Sequence, residues 1–261
     1  MTNRKKVYVI STTTPIFSYG ADRETPEIRA TSIRGMVRWW FRALGKEDES
    51  KKIMGDAAGS KESGASASKV IFRVVTKDNI EVKKANLLPH KNMATKKAIA
   101  SASVFELHVI ERFKLEDKDW ELLQRVIETW LMLGTIGARS TRAGGCVYDS
   151  SLVFKNKDEW LLKARELLKG SKIEVHISSA RKEPLGELRK YCTDTVKNSC
   201  LGSANPRKES PLRFKIIKIG EAYHIAFIND TRKEDVLERA CSVLNGKEIG
   251  KILIETIKSH L

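Results

Sequence analysis

An α+β fold is what the pattern of this chain predicts, and three observations carry it. Short apolar or alternating runs of strand length recur along the 261 residues. Between them lie longer stretches with the roughly 3.6-residue apolar period of helices docked on a core. The two kinds succeed each other without the regular strand–helix repeat of a parallel α/β sheet. With 41% hydrophobic and 31% charged residues, the composition suits a globular protein of one large domain or two small ones.

The first strand is expected at Lys6–Ser11, where Val7, Tyr8, Val9 and Ile10 form a short apolar run. A polar loop, Thr12–Gly20, leads to a helix within Glu27–Leu44. Its Ile33, Met36, Val37, Trp40, Phe41 and Leu44 make one stripe at about 100° per residue, and Gly45 ends it. Lys46–Lys69, dominated by charged and small residues, reads as a long loop. Val70–Val75 resumes strand character, and Lys83–Ser101 reads as a second irregular, basic segment. Val104–Phe113 alternates as a strand with Phe105, Leu107 and Val109 on one face and His108 on the other. After the acidic turn Glu116–Asp119, Trp120–Leu133 carries the broad apolar arc of a core helix.

In the second half, Asn156 with Glu159 resembles a capping box for a helix through Lys169, stopped by Gly170. Ile173–Ile177 alternates as a strand. A helix is expected near Glu187–Cys200, a basic loop to Ser210, strands at Leu212–Ile219 and Ala222–Ile228, and a helix opened by Thr231 and Glu234 and stopped at Asn245-Gly246. The succession resembles two βαββαβ modules, the ferredoxin-like or RRM-like plan, with long loop insertions. The N-terminal module is placed at 1–155 with a glycine-rich loop, and an abbreviated C-terminal module at 156–261.

Charge narrows the function. Lys and Arg number 48 against 33 Asp and Glu, for a net +15 and a pI near 9.6, a field that favours polyanions. No apolar run approaches the roughly 20 residues that span a bilayer, and Met1–Lys6 leads into a strand rather than a signal peptide. The expectation is a cytoplasmic protein with no membrane partner. Cys146, Cys192, Cys200 and Cys241 include no C-x₂-C pair and no histidine at ligand spacing, so they read as small buried thiols, with no metal or cofactor.

Two stretches suit phosphates. On the first helix Arg34, Arg38 and Arg42 follow at i, i+4 and i+8, while Trp39 projects from the side opposite the core. A solvated arginine row is the plain alternative, but an off-face tryptophan marks a contact surface. The second stretch is Leu133–Gly145. Its Gly134, Gly137, Gly144 and Gly145 let the backbone take φ > 0 and approach a ligand. Arg139 and Arg142 supply bidentate donors for phosphate oxygens. It is neither a Walker loop nor a Rossmann fingerprint, since no Gly-Lys-Ser/Thr follows and it succeeds a helix. The alternative is a helix-to-strand turn with surface arginines. In the basic segment, Lys91 among Lys83, Lys84, Lys96 and Lys97 suits tracking of a nucleic-acid backbone.

Separate motifs now add up to a resemblance. They are Thr14-Pro15-Ile16-Phe17 with Gly20-Ala21-Asp22; Glu27 to Gly35 running into Arg38-Trp39-Trp40-Phe41-Arg42-Ala43-Leu44; Ile53-Met54-Gly55 with Ser68-Lys69-Val70; Leu88-Pro89-His90-Lys91; the glycine loop; and Ser210-Pro211-Leu212-Arg213-Phe214. In number and order they resemble the RAMP superfamily of CRISPR proteins, and within it the first-numbered RAMP subunits of type III-B (Cmr) effector complexes. The loop departs from the family's pattern: Thr135, Thr141, Ala143 and Gly144 stand where that pattern has Gly, Arg, Gly and an aromatic.

The resemblance implies a non-catalytic structural subunit of two ferredoxin-like folds. Its implied partners are CRISPR guide RNA and target RNA, held near the guide's 3′ end, and the other RAMP subunits of the Cmr complex. The RNA-binding set expected on this reading is Arg34, Arg38, Trp39, Arg42, Lys91, Gly137, Arg139 and Arg142. Two alternatives stand beside it: a subunit making protein contacts only, and a metal-independent RAMP endoribonuclease. Cleavage would need a base for the 2′-hydroxyl. His90, in a basic loop, is the best placed, whereas His108, His176 and His224 fall in predicted strands and His260 near the terminus.

Overall fold

The computed structural model describes residues 4–60, 64–76, 80–89, 95–196, 200–201, 203–204, 207–208, 210–244 and 246–258. Its first half runs β1 (Lys5–Thr12), α1 (Ala30–Ala43), α2 (Glu47–Met54), β2 (Asp56–Ser60), β3 (Gly64–Ser66), β4 (Val70–Val75), β5 (Val82–Asn86), β6 (Thr95–Ile99), β7 (Val104–Glu111), α3 (Asp117–Leu133) and β8 (Val147–Asp149). The second half runs α4 (Lys157–Leu168), β9 (Ile173–Ile177), α5 (Leu185–Asp194), β10 (Ser203–Ala204), β11 (Arg207–Lys208), β12 (Leu212–Ile219), β13 (Ala222–Asp230), a 3₁₀ turn (Thr231–Lys233), α6 (Glu234–Val243) and α7 (Glu248–Lys258). The mixed architecture expected from the sequence is present, with antiparallel ladders throughout.

A four-stranded sheet has the order β4-β7-β1-β8 and a three-stranded sheet the order β12-β13-β9. The apolar stripe of α1 buries Ile33, Val37, Trp40 and Phe41, and that of α3 buries Leu123, Val126, Ile127 and Trp130. Both meet Tyr8, Ile10, Phe105, Leu107 and Val109 from one face of the larger sheet. Its other face leaves Val7, Val9, Ile71, Val104 and Tyr148 exposed. The smaller sheet is covered on both faces. Leu212, Phe214, Ile216, Ile225 and Phe227 pack with Leu188, Leu237 and Leu253 of the last three helices, while Ile173, Val175, Ile217, Ile219 and Ile228 join the first core beside Trp160 and Leu167 of α4.

Local signals explain most boundaries. Gly45, at φ +70, stops α1. Asn156 Oδ1 accepts from the Asp158 and Glu159 N–H groups at 3.1 and 2.9 Å, while Glu159 reaches back to the Lys155 N–H at 2.8 Å.

Three expectations are corrected. Lys46–Lys69 is not a long loop: it holds α2, which buries Ile53 and Met54, and the β2–β3 ladder. Glu47, Asp48 and Glu49 in the first turn of α2 and Lys51 and Lys52 in its last suit the helix dipole, but eight residues are too short for a sequence period to reveal. Lys83–Ser101 contains the β5–β6 ladder. Its lysines hide the strand pattern, and the pairing is pinned by mutual backbone bonds of Ile99 with Ile16 at 3.0 Å. The helix near Glu187–Cys200 starts at Leu185 and ends at Asp194. Among elements with no sequence expectation, α7 is the longest.

Candidate nucleic-acid interface

Between α3 and β8 the glycine loop threads back through the molecule. The Ile136 N–H donates to Gly145 O at 2.8 Å, Ala138 N–H to Phe17 O at 2.8 Å, and Gly145 N–H to Pro15 O at 3.0 Å. Thr14 ties the same region by donating its hydroxyl to Ala143 O at 2.9 Å and accepting from Cys146 N–H at 2.8 Å. These approaches are why glycine is needed. At Gly145, φ is +64 and a Cβ would lie 1.9 Å from Ile136 O; at Gly137, φ is +85 and a Cβ would lie 2.6 Å from Phe17 O. The close backbone approach is thus to the protein's own chain. Arg139 and Ala143 also take left-handed backbone, at φ +63 and +54, each at a cost of about 1 kcal/mol.

The predicted arginines divide into inward and outward groups. Arg142 turns in: it is buried and donates to Thr141 O at 2.9 Å, Leu212 O at 3.1 Å and Leu201 O at 2.6 Å, with its guanidinium 5.6 Å from the Phe214 ring centroid. Burial brings it down to about 10. It braces the loop against β12, a different task from the phosphate contact expected of it, because the buried carbonyls of Leu201 and Leu212 need donors. Arg34 and Arg38 are half-buried. Both donate to Met54 O, and Arg38 also to Gly55 O at 2.5 Å, closing the C-terminus of α2.

Trp39 does not project freely. It is half-buried, meets Trp40 edge-on at 5.0 Å and carries the Arg213 guanidinium 3.8 Å from its ring centroid. Its direction follows from β12 lying beside α1, which the helix period alone does not reveal. Arg42 is exposed, and its carbonyl accepts from Arg232 at 3.1 Å. Gly137 and Arg139 are half-buried. The Arg139 Nε is enclosed without an acceptor, and burial lowers the guanidinium's proton affinity. Lys91, and with it His90 and His260, lies outside the described residues. The structure therefore gathers Arg139 and Arg142 at the loop and links them through Phe214 and Arg213 to Trp39, while Arg34 and Arg38 serve the end of α2.

Three cations of this region escaped the sequence reading. Arg189 of α5 is 4% exposed, lies 5.3 Å from the Phe17 ring centroid and donates to Asn86 O at 2.9 Å, yet its Nε has no acceptor. Lys215 of β12 is buried and donates to Leu131 O, Gly134 O and Val147 O at 2.6, 2.9 and 2.6 Å. Arg213 had a signal, since it belongs to the Ser210–Phe214 motif, whereas Arg189 and Lys215 are single charges in apolar patterns. Among the described residues, Arg139, Arg142 and Arg189 form no ion pair with a carboxylate. This uncompensated cluster attracts anions. The described histidines are dispersed on β7, β9 and β13: His108 meets Glu106 at 2.8 Å, His176 meets Thr256 at 2.9 Å, and His224 meets Ser178 O at 3.0 Å.

Known proteins share this architecture. The crystal structure of apo Cmr1 from Pyrococcus furiosus matches with a TM-score of 0.55 at 20% identity, over 87% of each chain. A chain in the cryo-EM structure of the type III-B Cmr-beta complex, bound to cognate target RNA and AMPPnP in the presence of ssDNA, matches with a TM-score of 0.61 at 12% identity over 99% of each. At these identities the likeness is one of fold. In sequence, 38 residues are 45% identical to the CRISPR system Cmr subunit Cmr1-2 of Pyrococcus furiosus; the match spans 15% of this chain and a fifth, 20%, of that relative. The family model of the RAMP superfamily matches residues 9–148, from within β1 through the glycine loop into β8. With that match covering more than half its length, the chain belongs to the RAMP superfamily.

Proposed function

We propose that this protein is a non-catalytic, RNA-binding structural subunit of a CRISPR type III-B RNA-guided complex, contacting guide RNA, target RNA or both near the guide's 3′ end beside other RAMP subunits. The observation that carries the reading is the arginine cluster around the glycine loop, which has no carboxylate ion pair among the described residues and is joined to a half-exposed tryptophan. Arginines at phosphates and rings at bases are what single-stranded RNA requires. Gly137 and Arg139 at the loop and Arg42 on α1 are the proposed contacts, and Lys91, which lies outside the described residues, joins them on the sequence alone. Arg34 and Arg38 keep N–H groups beyond those given to α2, and Arg142 sets the loop's shape. The three described histidines lie apart on β7, β9 and β13, and His90 lies outside the described residues.

We also read the two sheets as ferredoxin-like modules. In the first, strands β1, β4, β7 and β8 take the order second-third-first-fourth around α1 and α3. In the second, β9, β12 and β13 repeat second-third-first, and no fourth strand follows among the described residues. This supports an abbreviated module within 156–261. The aliphatic open face of the first sheet, with Val7, Val9, Ile71 and Val104, suits a neighbouring subunit better than stacked bases.

The test is binding of single-stranded RNA by the full chain and its Arg42→Ala/Arg139→Ala variant across a salt series. The variant is expected to bind about tenfold more weakly, with the slope of log affinity against log salt shallower by about 0.7 per lost phosphate contact. Equal affinity and slope would reject this surface, and cleavage of labelled RNA by the purified chain would reject the non-catalytic assignment.

A further inference from the structure

A cleft of about 390 Å³ opens between the β5–β6 ladder and the start of α5, lined by Pro15, Asn86, Pro89, Gly186, Arg189 and Lys190 among others. Three features of it are independent of one another. First, α5 begins without a side-chain cap. Glu187 and Leu188 N–H groups donate to Pro184 O at 2.9 and 3.1 Å, so among the described residues those of Leu185 and Gly186 are the open donors of the first turn. Second, Arg189, 96% buried, lines the same cleft with an Nε that has no acceptor. A buried guanidinium left incompletely bonded carries a desolvation cost that an anion in the cleft would offset. Third, positive charge outweighs negative around the cleft: Arg189 and Lys190 line it with one carboxylate, Glu187, and the Arg139 charge acts on Arg189 from the adjoining loop. The Glu187 side chain is exposed, so water screens its charge.

We infer that this cleft is a phosphate-binding subsite, in which Arg189 and the open N–H groups of α5 hold one phosphate group. The shared chemistry has two sources, a phosphodiester of bound RNA or a free phosphate-bearing small molecule. Arg189 belongs to the arginine cluster on which the proposed function rests, but the phosphate test is made without RNA, so the failure of one and of the other are distinguishable.

Gly186 allows a test that spares the core, because a Cβ there meets nothing within 4 Å. The full chain and its Gly186→Glu variant are heated with inorganic phosphate and with chloride at matched ionic strength. Phosphate is expected to raise the Tm of the wild type above the chloride control, and the variant, whose carboxylate repels the anion, is expected to lose that increment while keeping its Tm in chloride. Arg189→Gln, which removes the charge, is expected to lose the increment as well. No phosphate-specific increment in the wild type, or its persistence in Gly186→Glu, would overturn the subsite. RNA binding then identifies the source. A drop of about tenfold for Gly186→Glu, one charge-assisted contact, with competition by phosphate, assigns the cleft to RNA. Unchanged RNA affinity beside a lost phosphate increment assigns it to a small phosphate-bearing ligand.

Discussion

The Arg213 guanidinium lies 3.8 Å from the centroid of the Trp39 ring, so the start of β12 is stacked on the flank of α1. Two residues on, Lys215 caps the end of α3, and the preceding turn is braced by Arg142 beside Phe214. One strand of the smaller sheet thus rests on the helices of the larger one, and cations occupy the contacts that do not use apolar side chains.

The Arg213–Trp39 pair is expected to couple energetically. A double-mutant cycle with Arg213→Ala and Trp39→Ala, followed by urea unfolding, should give an interaction of about 0.5–2 kcal/mol. Additive effects would mean that the stacking contributes nothing to holding the sheet on α1.

Lys215→Met should destabilise the fold by about 3 kcal/mol, since it leaves three buried carbonyls without their donor. The loss should also depend on pH. Burial pulls the Lys215 ammonium from its ordinary value of 10.5 down to about 7. Between those values the unfolded chain holds a proton that the folded chain has released, so this residue's contribution to stability rises as pH rises. The wild type should gain on the variant from pH 7 upward, as measured by chemical denaturation at several pH values. A constant difference would show that the three carbonyls keep the ammonium charged.

Two glycines should respond in opposite senses. Gly145→Ala forces a Cβ against Ile136 O at positive φ and should cost about 2 kcal/mol or more. Gly35→Ala, on α1 with nothing within 4 Å of the added carbon, should stabilise by about 0.5–1 kcal/mol through helix propensity. Thermal unfolding of the two variants checks both signs.

Acid should act early through Glu111. Hydrogen bonds from Arg4 at 2.7 and 3.0 Å and from the Leu115 N–H at 2.6 Å hold its carboxyl down at about 2. A depressed folded-state value means stability that is complete above the ordinary carboxylate range and lost as pH falls from 4.5 toward 2. Arg4→Ala should lower stability at neutral pH and flatten the fall between those values. A Tm profile parallel to the wild type would contradict this.

Much of the architecture was legible because it is local. The stripe of α1, the arc of α3, the Asn156 cap and the alternation of β7 and β9 each lie within one stretch of chain, where spacing reveals the buried face. The glycine loop was legible too, as a place where backbone must come close to something. What was not legible came from pairing at a distance. Helix α2 is completed by Arg34 and Arg38 reaching its last carbonyls, and β6 is held by Ile16 from before α1. Their own residues carry little apolar pattern.

By itself the sequence determined the α+β class, the helices with their inward faces, the positive field and the glycine positions, since each follows from side-chain period or backbone freedom. Only the tertiary structure decided which cations face solvent. The buried cations serve carbonyls the fold leaves without a donor, which for Arg142 lie at Leu201 and Leu212 and for Lys215 at Leu131, Gly134 and Val147. Such carbonyls are created where helices and strands end against one another, and no spacing within the chain encodes that meeting.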